Sequence, residues 1–350
     1  MTHAHTANAP AFPSLGFGGA AIGNLFRAVS DEDAARTIEA AWEAGIRYFD
    51  TAPHYGLGLS ERRLGEALRA HPRAEYVVST KVGRLLVPAR TATGRDDEGF
   101  DVAAAHHRVR DYTADGVRRS IEASLQRLGL DRIDIVLIHD PDDHLDEAIE
   151  RAAPALSALR AEGTIRSYGA GMNHPALLTR FVRETDADVV MVAGRYSLLD
   201  QTAGRELLPA ALQRGVGVIN AGVFNSGLLA LPRPRPDATY DYRPASTALV
   251  ERADHLARVC QQFGVDLPTV ALAFAAHHPA ITSVVVGLRS PEEVSDAVRR
   301  RAHPVPEGIW AALRQQDLID DGGRHRRSGP QYLRHREQSP TSWLHPQHWR

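Results

Sequence analysis

Cysteine is almost absent from the 350-residue chain: Cys260 stands alone, which excludes an internal disulfide and any cysteine-rich metal centre. A charge excess of either sign is also lacking. With 41 Lys and Arg against 43 Asp and Glu, the chain carries no global field that would draw it to nucleic acid or to an anionic membrane. No run approaches the roughly 18 apolar residues that a membrane-spanning helix needs. Residues 1–14, "MTHAHTANAPAFPS", lack a basic start followed by an apolar core, so no secretory leader is read there. A reducing cytoplasm is the expected location. The rest of the composition, 43% hydrophobic and 24% charged, is that of a globular protein, and a single α/β barrel can absorb this length.

Eight short strand patterns alternate with longer helical ones: "LGFGGAAIG" (15–23), "GIRYFD" (45–50), "YVVST" (76–80), "IDIVLIH" (133–139), "IRSYGAG" (165–171), "DVVMVAG" (188–194), "GVGVIN" (215–220) and "ITSVVVG" (281–287). Between them lie amphipathic stretches such as Asp31 to Ala44 and Thr113 to Leu128. Nearly continuous apolar strands alternating with helices imply parallel strands buried on both faces. Eight such units predict a (β/α)₈ TIM barrel, with long loops on the catalytic face. A Rossmann sheet is disfavoured, because "GFGGAAIG" lacks the Gly-x-Gly-x-x-Gly spacing.

Residues 1–13 are read as a mobile N-terminal segment and 14–320 as the barrel domain. Two long irregular stretches, 83–112 and 222–246, follow the third and seventh strands, which would place both on the catalytic face. The basic tail 321–350 has a disordered composition, but Trp343 and Trp349 leave docking open.

Polar residues at the C-terminal ends of barrel strands are the first place to seek chemistry. Asp50 closes the second strand, Lys81 the third and His139 the fourth, while Tyr55 follows Asp50 on a glycine-rich turn. Taken singly, each has a plain structural explanation as a cap, a solvated strand end or a hydrogen-bonded core residue. Together they suit a proton transfer. A tyrosine hydroxyl has a pKa near 10, and an adjacent ammonium should lower it. Asp50 would hold Lys81, and His139 could donate a hydrogen bond to a substrate oxygen. Such a set serves carbonyl and alcohol interconversion, with hydride carried by a separate cofactor.

With "FDTAPHYGLGLSERRLG", "STKVGR", "IDIVLIHD", "GAGMN" and "VVVGLRSPEEV" in order, the chain resembles the aldo-keto reductases over residues 14 to 305. That resemblance implies Asp50, Tyr55, Lys81 and His139 as the catalytic tetrad, and no metal. Further motifs, "LGFGGAAIGNLF", "KVGRLLVP", "NAGVFNSGLL" and "PDATYDYRPA", are similar to the family branch that oxidises L-fucose and related D-threo aldoses, whose near relatives oxidise pyridoxal to a lactone. The implied substrate is a sugar or pyridoxal-like hemiacetal, with general aldehyde reduction as an alternative. A homo-oligomer is left open.

The resemblance also implies where an NAD(P) cofactor would lie. Asn173 matches the residue that bonds the nicotinamide carboxamide, beside Met172 in place of the usual serine. Ala193 and Ala221 replace the family's glutamine and stacking aromatic, with Phe224 as a substitute for the latter. Gly19, Ala20, Asn225, Ser226 and Gly227 are assigned to cofactor contact as well, although "NSG" also reads as a tight turn. At the position of Gly287 NADP-preferring relatives carry lysine, and near Glu293 arginine, so NAD is expected over NADP, tempered by Arg289. Ser290, Pro291 and Glu293 equally form a capping box. Asn24, His54 and Arg84 are substrate-contact candidates by proximity to the rim.

Other signals are weaker. The His3 and His5 pair precedes any strand, and His106 with His107 and His277 with His278 lack a ligand framework. Two readings from other classes stay open: a metal-dependent barrel hydrolase using His54, His139 and acids, and a redox-sensing, cofactor-binding regulatory subunit.

Overall fold

The computed structural model describes residues 13–90 and 94–320; the expected N-terminal segment and the C-terminal tail lie outside the described residues, apart from Pro13. Among the described residues, twelve strands run in chain order: β1 (Leu15–Gly18), β2 (Tyr48–Asp50), β3 (Val77–Val82), β4 (Arg84–Pro88), β5 (His106–Arg110), β6 (Ile133–His139), β7 (Ile165–Met172), β8 (Val189–Ala193), β9 (Gly217–Ala221), β10 (Thr239–Tyr240), β11 (Arg243–Pro244) and β12 (Ile281–Gly287). Eight of them close into an all-parallel barrel in the order β1-β12-β9-β8-β7-β6-β3-β2, the (β/α)₈ architecture expected. Each of the eight expected strands contributes one. The first is shorter than expected: β1 ends at Gly18, and Ala21–Gly23 forms a 3₁₀ turn.

Helices cover the barrel, and their starts follow local chemistry. Ser30 and Thr113 accept hydrogen bonds from the backbone N–H of Asp33 and Gly116, capping the helices Asp31–Glu43 and Ala114–Leu128. The outer faces of the strands pack on these helices. The inner faces fill the barrel with Tyr48, Val77, Ile135, Leu137, Val189, Met191, Ile219 and Val285.

That interior set positions the chemistry. Side chains on a strand alternate between faces, so every second residue beyond an interior one also points inward. Two residues past Tyr48 is Asp50; four past Val77 is Lys81; two past Leu137 is His139. The inward rows that are apolar within the barrel therefore become ionisable at its C-terminal rim.

The long stretches after β3 and β9 are not wholly irregular, which corrects the expectation. Strands β4 and β5 pair as an antiparallel hairpin from Arg84↔Arg110 to Pro88↔His106. Between β9 and the helix Thr247–Gln262, β10 and β11 pair as a shorter one, turning through Asp241 and Tyr242 at positive φ. Both rise from the C-terminal side of the barrel and wall the rim.

Candidate active site

Asp50, Lys81 and Tyr55 form one connected group. The Lys81 ammonium donates to Asp50 Oδ2 over 2.8 Å, to the Thr51 carbonyl over 2.9 Å and to the Tyr55 hydroxyl over 3.0 Å. All three donor positions of the amine are thus directed, and Lys81 is only 2% exposed. Asp50 is fixed in turn by Ser79, whose hydroxyl donates to Oδ1 over 2.6 Å and also pairs with the Tyr48 hydroxyl. His139 stands opposite, its ring edge-on to Tyr55 with centroids 5.8 Å apart.

The turn that carries Tyr55 is held against the loop after β1. A Cβ on Gly19 would meet the Asp50 carbonyl and the Ser60 hydroxyl at 2.7 Å, so only glycine lets this backbone lie so near the Asp50 strand end. Ser60 in turn donates to the Gly19 carbonyl.

Burial and charge set the protonation states. Burial penalises the Lys81 ammonium, but Asp50 and Tyr55 outweigh it and hold the amine's pKa above its ordinary value. Burial lowers the His139 pKa far below the ordinary range, with Arg84 and Lys81 adding to the effect, so the imidazole is neutral. For Tyr55 the expectation is reversed. Burial raises the phenol's pKa, and the opposing pull of Lys81 does not cancel it. Sequence shows the neighbouring ammonium but not the desolvation that competes with it.

The walls come from residues that motif reading passed over. Phe100, from the segment after β4, has its ring tilted by 31° to that of Tyr55 with centroids 6.0 Å apart, and lies edge-on to His54 at 5.2 Å. It is held there by the loop after β1, where the Phe26 N–H donates to the Gly99 carbonyl. From the other side, the β10–β11 turn brings Tyr242 to 5.5 Å from the Phe26 ring. Arg195 clamps that turn through two hydrogen bonds to Asp241, at 3.0 and 2.7 Å. Ser79 shares the inward row of Lys81, and that parity was the signal by which it could have been found.

The candidate substrate contacts differ in their availability. His54 and Arg84 face the site together, with Arg84 Nη1 3.5 Å from His54 Nδ1 and Glu98 3.8 Å from the same ring. Asn24 is buried, and its amide is engaged: Oδ1 accepts from Val29 N–H and Arg63, while Nδ2 donates to the Asp101 carbonyl. It ties the loop after β1 to the segment that carries Phe100.

The residues assigned to the cofactor gather at the ends of β7, β8, β9 and β12 and on the loops that follow. Met172 is buried at the end of β7 with Asn173 next to it, and Ala193 is in register with Ala221. Asn225 and Ser226 both have positive φ and precede Gly227 in the same conformation. Asn225 donates to the Gly194 carbonyl but leaves its buried Oδ1 without a partner. Phe224 is partly buried against the core. Across the rim, Ala20 opens the 3₁₀ turn after Gly19, and Gly18 pairs in register with Gly287. Ser290 caps the helix Pro291–Ala302, and the Glu293 carboxylate accepts from the Arg289 N–H over 2.9 Å. Arg27 lies near enough to Arg289 for the two cations to repel. An unpaired buried amide oxygen, a left-handed glycine-bearing turn and two opposed cations at a helix start together suit a group with an amide donor and a pyrophosphate. Among the described residues, no three His, Cys, Asp or Glu side chains are grouped to hold a metal ion.

The profile of the aldo/keto reductase family matches residues 14–317. A D-threo-aldose 1-dehydrogenase from a Pseudomonas species is 48% identical over 313 residues, covering 88% of this chain and 95% of that protein. A pyridoxal 4-dehydrogenase from Microbacterium luteolum is 39% identical over 326 residues, covering 87% and 94%. Among solved structures, the holo form of an aldo-keto reductase from Bacillus halodurans superposes with a TM-score of 0.66 at 26% identity, covering 90% of this chain and 95% of that one. No helix among the described residues is long and apolar enough to cross a membrane.

Proposed function

The chain belongs to the aldo/keto reductase family, and we propose that it oxidises the anomeric hydroxyl of a cyclic aldose, such as L-fucose or another D-threo aldose, to a lactone with NAD. The observation that carries the chemistry is the Tyr55 hydroxyl, 3.0 Å from the Lys81 ammonium and beside a neutral His139. The relative named for D-threo-aldose oxidation, matched along nearly its whole length, supports the substrate class.

A nicotinamide cofactor, when bound, supplies the hydride acceptor and a positively charged ring. Gly19, Ala20, Met172, Asn173, Phe224, Asn225, Ser226 and Gly227 would hold its nicotinamide and pyrophosphate half, with Gly287, Arg289 and Glu293 toward the other. The chain's own residues manage the proton. Neutral His139 donates a hydrogen bond to the hemiacetal hydroxyl oxygen and orients it toward Tyr55. Tyr55 Oη takes the hydroxyl proton as the carbonyl forms, and Lys81 stabilises the phenolate that precedes this transfer. Asp50 keeps Lys81 charged and in place. Buried Phe100 limits water beside Tyr55, with the half-exposed Phe26 and Tyr242 at the mouth of the site.

A hemiacetal suits this site because the ring oxygen stabilises positive character at the carbon that loses hydride. It also carries both the hydroxyl proton and the carbon-bound hydrogen on one centre. Pyridoxal in its internal hemiacetal form is a second reading, favoured by the 39% identical pyridoxal 4-dehydrogenase. Absorbance assays, following NAD reduction with L-fucose, D-arabinose and pyridoxal and NADH oxidation with simple aldehydes, separate these readings. Turnover of sugars first supports the proposal; rapid reduction of simple aldehydes with inert lactols favours a general reductase. Slow turnover of everything with tightly retained cofactor favours a redox-sensing subunit.

A further inference from the structure

The residue after His139 is built in a way that its backbone role does not require. Asp140 has φ +41°, a left-handed conformation that side-chain-bearing residues seldom adopt. Three contacts hold it there. Its N–H donates to the Gly171 carbonyl over 2.9 Å, its carbonyl accepts from Arg110 over 2.7 Å, and its Oδ2 accepts from Arg84 over 2.8 Å. This conformation turns the carboxylate inward, so that Oδ2 lies 3.6 Å from His139 Nε2, too far for a hydrogen bond but beside the atom that would meet a substrate oxygen. The side chain is 38% exposed, and no donor among the described residues hydrogen-bonds to Oδ1.

We propose that Asp140 is a specificity-determining contact whose carboxylate accepts a hydrogen bond from the hydroxyl on the ring carbon next to the oxidised one. The inference rests on the lactol-oxidation reading above and names the feature of the lactol that the site recognises. Adjacent hydroxyls on a sugar ring lie within about a hydrogen-bond length of each other. A lactol whose reacting oxygen sits on His139 therefore brings its neighbouring hydroxyl to Asp140. Burial raises the Asp140 pKa and Arg84 opposes that rise; the hydrogen bond from Arg84 fixes the carboxylate in direction, which makes it a selective acceptor. A simple aldehyde has no group to place there.

The competing explanation is that Asp140 only anchors the β4–β5 hairpin through Arg84 and Arg110. Steady-state kinetics with NAD on L-fucose or D-arabinose and on 2-hydroxytetrahydropyran, a lactol with no ring hydroxyl besides the reacting one, separates the two. Asp140→Asn is expected to lower the ratio of kcat/KM for the sugar over that for 2-hydroxytetrahydropyran by about ten- to a hundredfold, the range for a hydrogen bond to a charged group. The loss should lie mainly in the sugar's KM. Asp140→Gly, which accepts the left-handed backbone without strain, should give the same split. Equal losses on both lactols, or no change in the ratio in either variant, overturn the assignment of Asp140 alone. Wild-type protein that oxidises neither lactol overturns it together with the functional reading.

Discussion

Lys81 Nζ lies 3.0 Å from the Tyr55 hydroxyl and carries a firmly held positive charge, while the phenol itself is harder to ionise than a tyrosine in water. In the proposed mechanism Lys81 is the counter-charge that makes a phenolate attainable in a buried site. Tyr55→Phe and Lys81→Met should each lower turnover by at least about 100-fold; Tyr55→Phe should leave cofactor affinity and melting temperature little changed, whereas Lys81→Met should also lose stability because Asp50 stays buried without its cation. Single-turnover rates and cofactor titration check this. Near wild-type turnover in Tyr55→Phe, where chemistry limits the rate, would remove Tyr55 from proton transfer.

Ser79 supports the pair from beneath. Its hydroxyl donates to Asp50 Oδ1 over 2.6 Å, so Ser79→Ala leaves a buried carboxylate oxygen without that donor. The expected cost is about 1–3 kcal/mol of stability, together with a roughly tenfold lower kcat as Asp50 and Lys81 lose their fixed direction. Denaturant unfolding and steady-state kinetics measure both. A variant with unchanged stability and kcat would show that Asp50 is held well enough by Lys81 alone.

The proposed preference for NAD rests on the turn at Gly287. No lysine stands there, and Glu293 brings a carboxylate to the start of the helix Pro291–Ala302, where it is fixed by the Arg289 N–H. A 2′-phosphate would meet that negative charge, whereas a free ribose hydroxyl could donate to it. NAD should therefore give the higher kcat/KM, and Glu293→Ala should narrow the difference. A clear preference for NADP would show that Arg27 and Arg289 dominate the site.

Two buried imidazoles predict acid sensitivity. Burial holds His54 and His139 well below their ordinary pKa, with nearby arginines adding to it. The unfolded chain therefore binds protons near pH 6.5 that the folded chain refuses, and stability present above that pH falls as pH drops toward the lowered folded values. Each imidazole contributes a slope of at most about 1.4 kcal/mol per pH unit. Urea unfolding between pH 7 and pH 5 should show a shallower decline in the double variant His54→Asn, His139→Asn than in wild type. Equal slopes would mean that both rings become protonated in the folded state.

The parts of the molecule that obey a short-range period were legible in its sequence. Strands β6 and β12 have the bounds read from "IDIVLIH" and "ITSVVVG", because runs buried on both faces stay apolar until the chain leaves the barrel. The period of two then carries Asp50, Lys81 and His139 to one rim. The β4–β5 hairpin was not legible: "RLLVP" and "HHRVR" mix charge, proline and apolar residues, and their pairing spans a long intervening segment. Asp140 was hidden for a different reason. It directly follows a recognised residue, and only its positive φ and its contacts with Arg84 and Arg110 distinguish it from an ordinary loop acid.

The proposed reaction converts a cyclic hemiacetal directly into a lactone. The most direct test is to incubate the protein with L-fucose and NAD and to follow the sugar product by mass spectrometry from the first turnovers, before water opens the ring. The expected product is lighter than the sugar by two hydrogens, is formed one for one with reduced cofactor, and later gains one water. An acid that appears at once with no lactone preceding it, or no product from L-fucose, D-arabinose and pyridoxal while simple aldehydes are reduced rapidly, would contradict it.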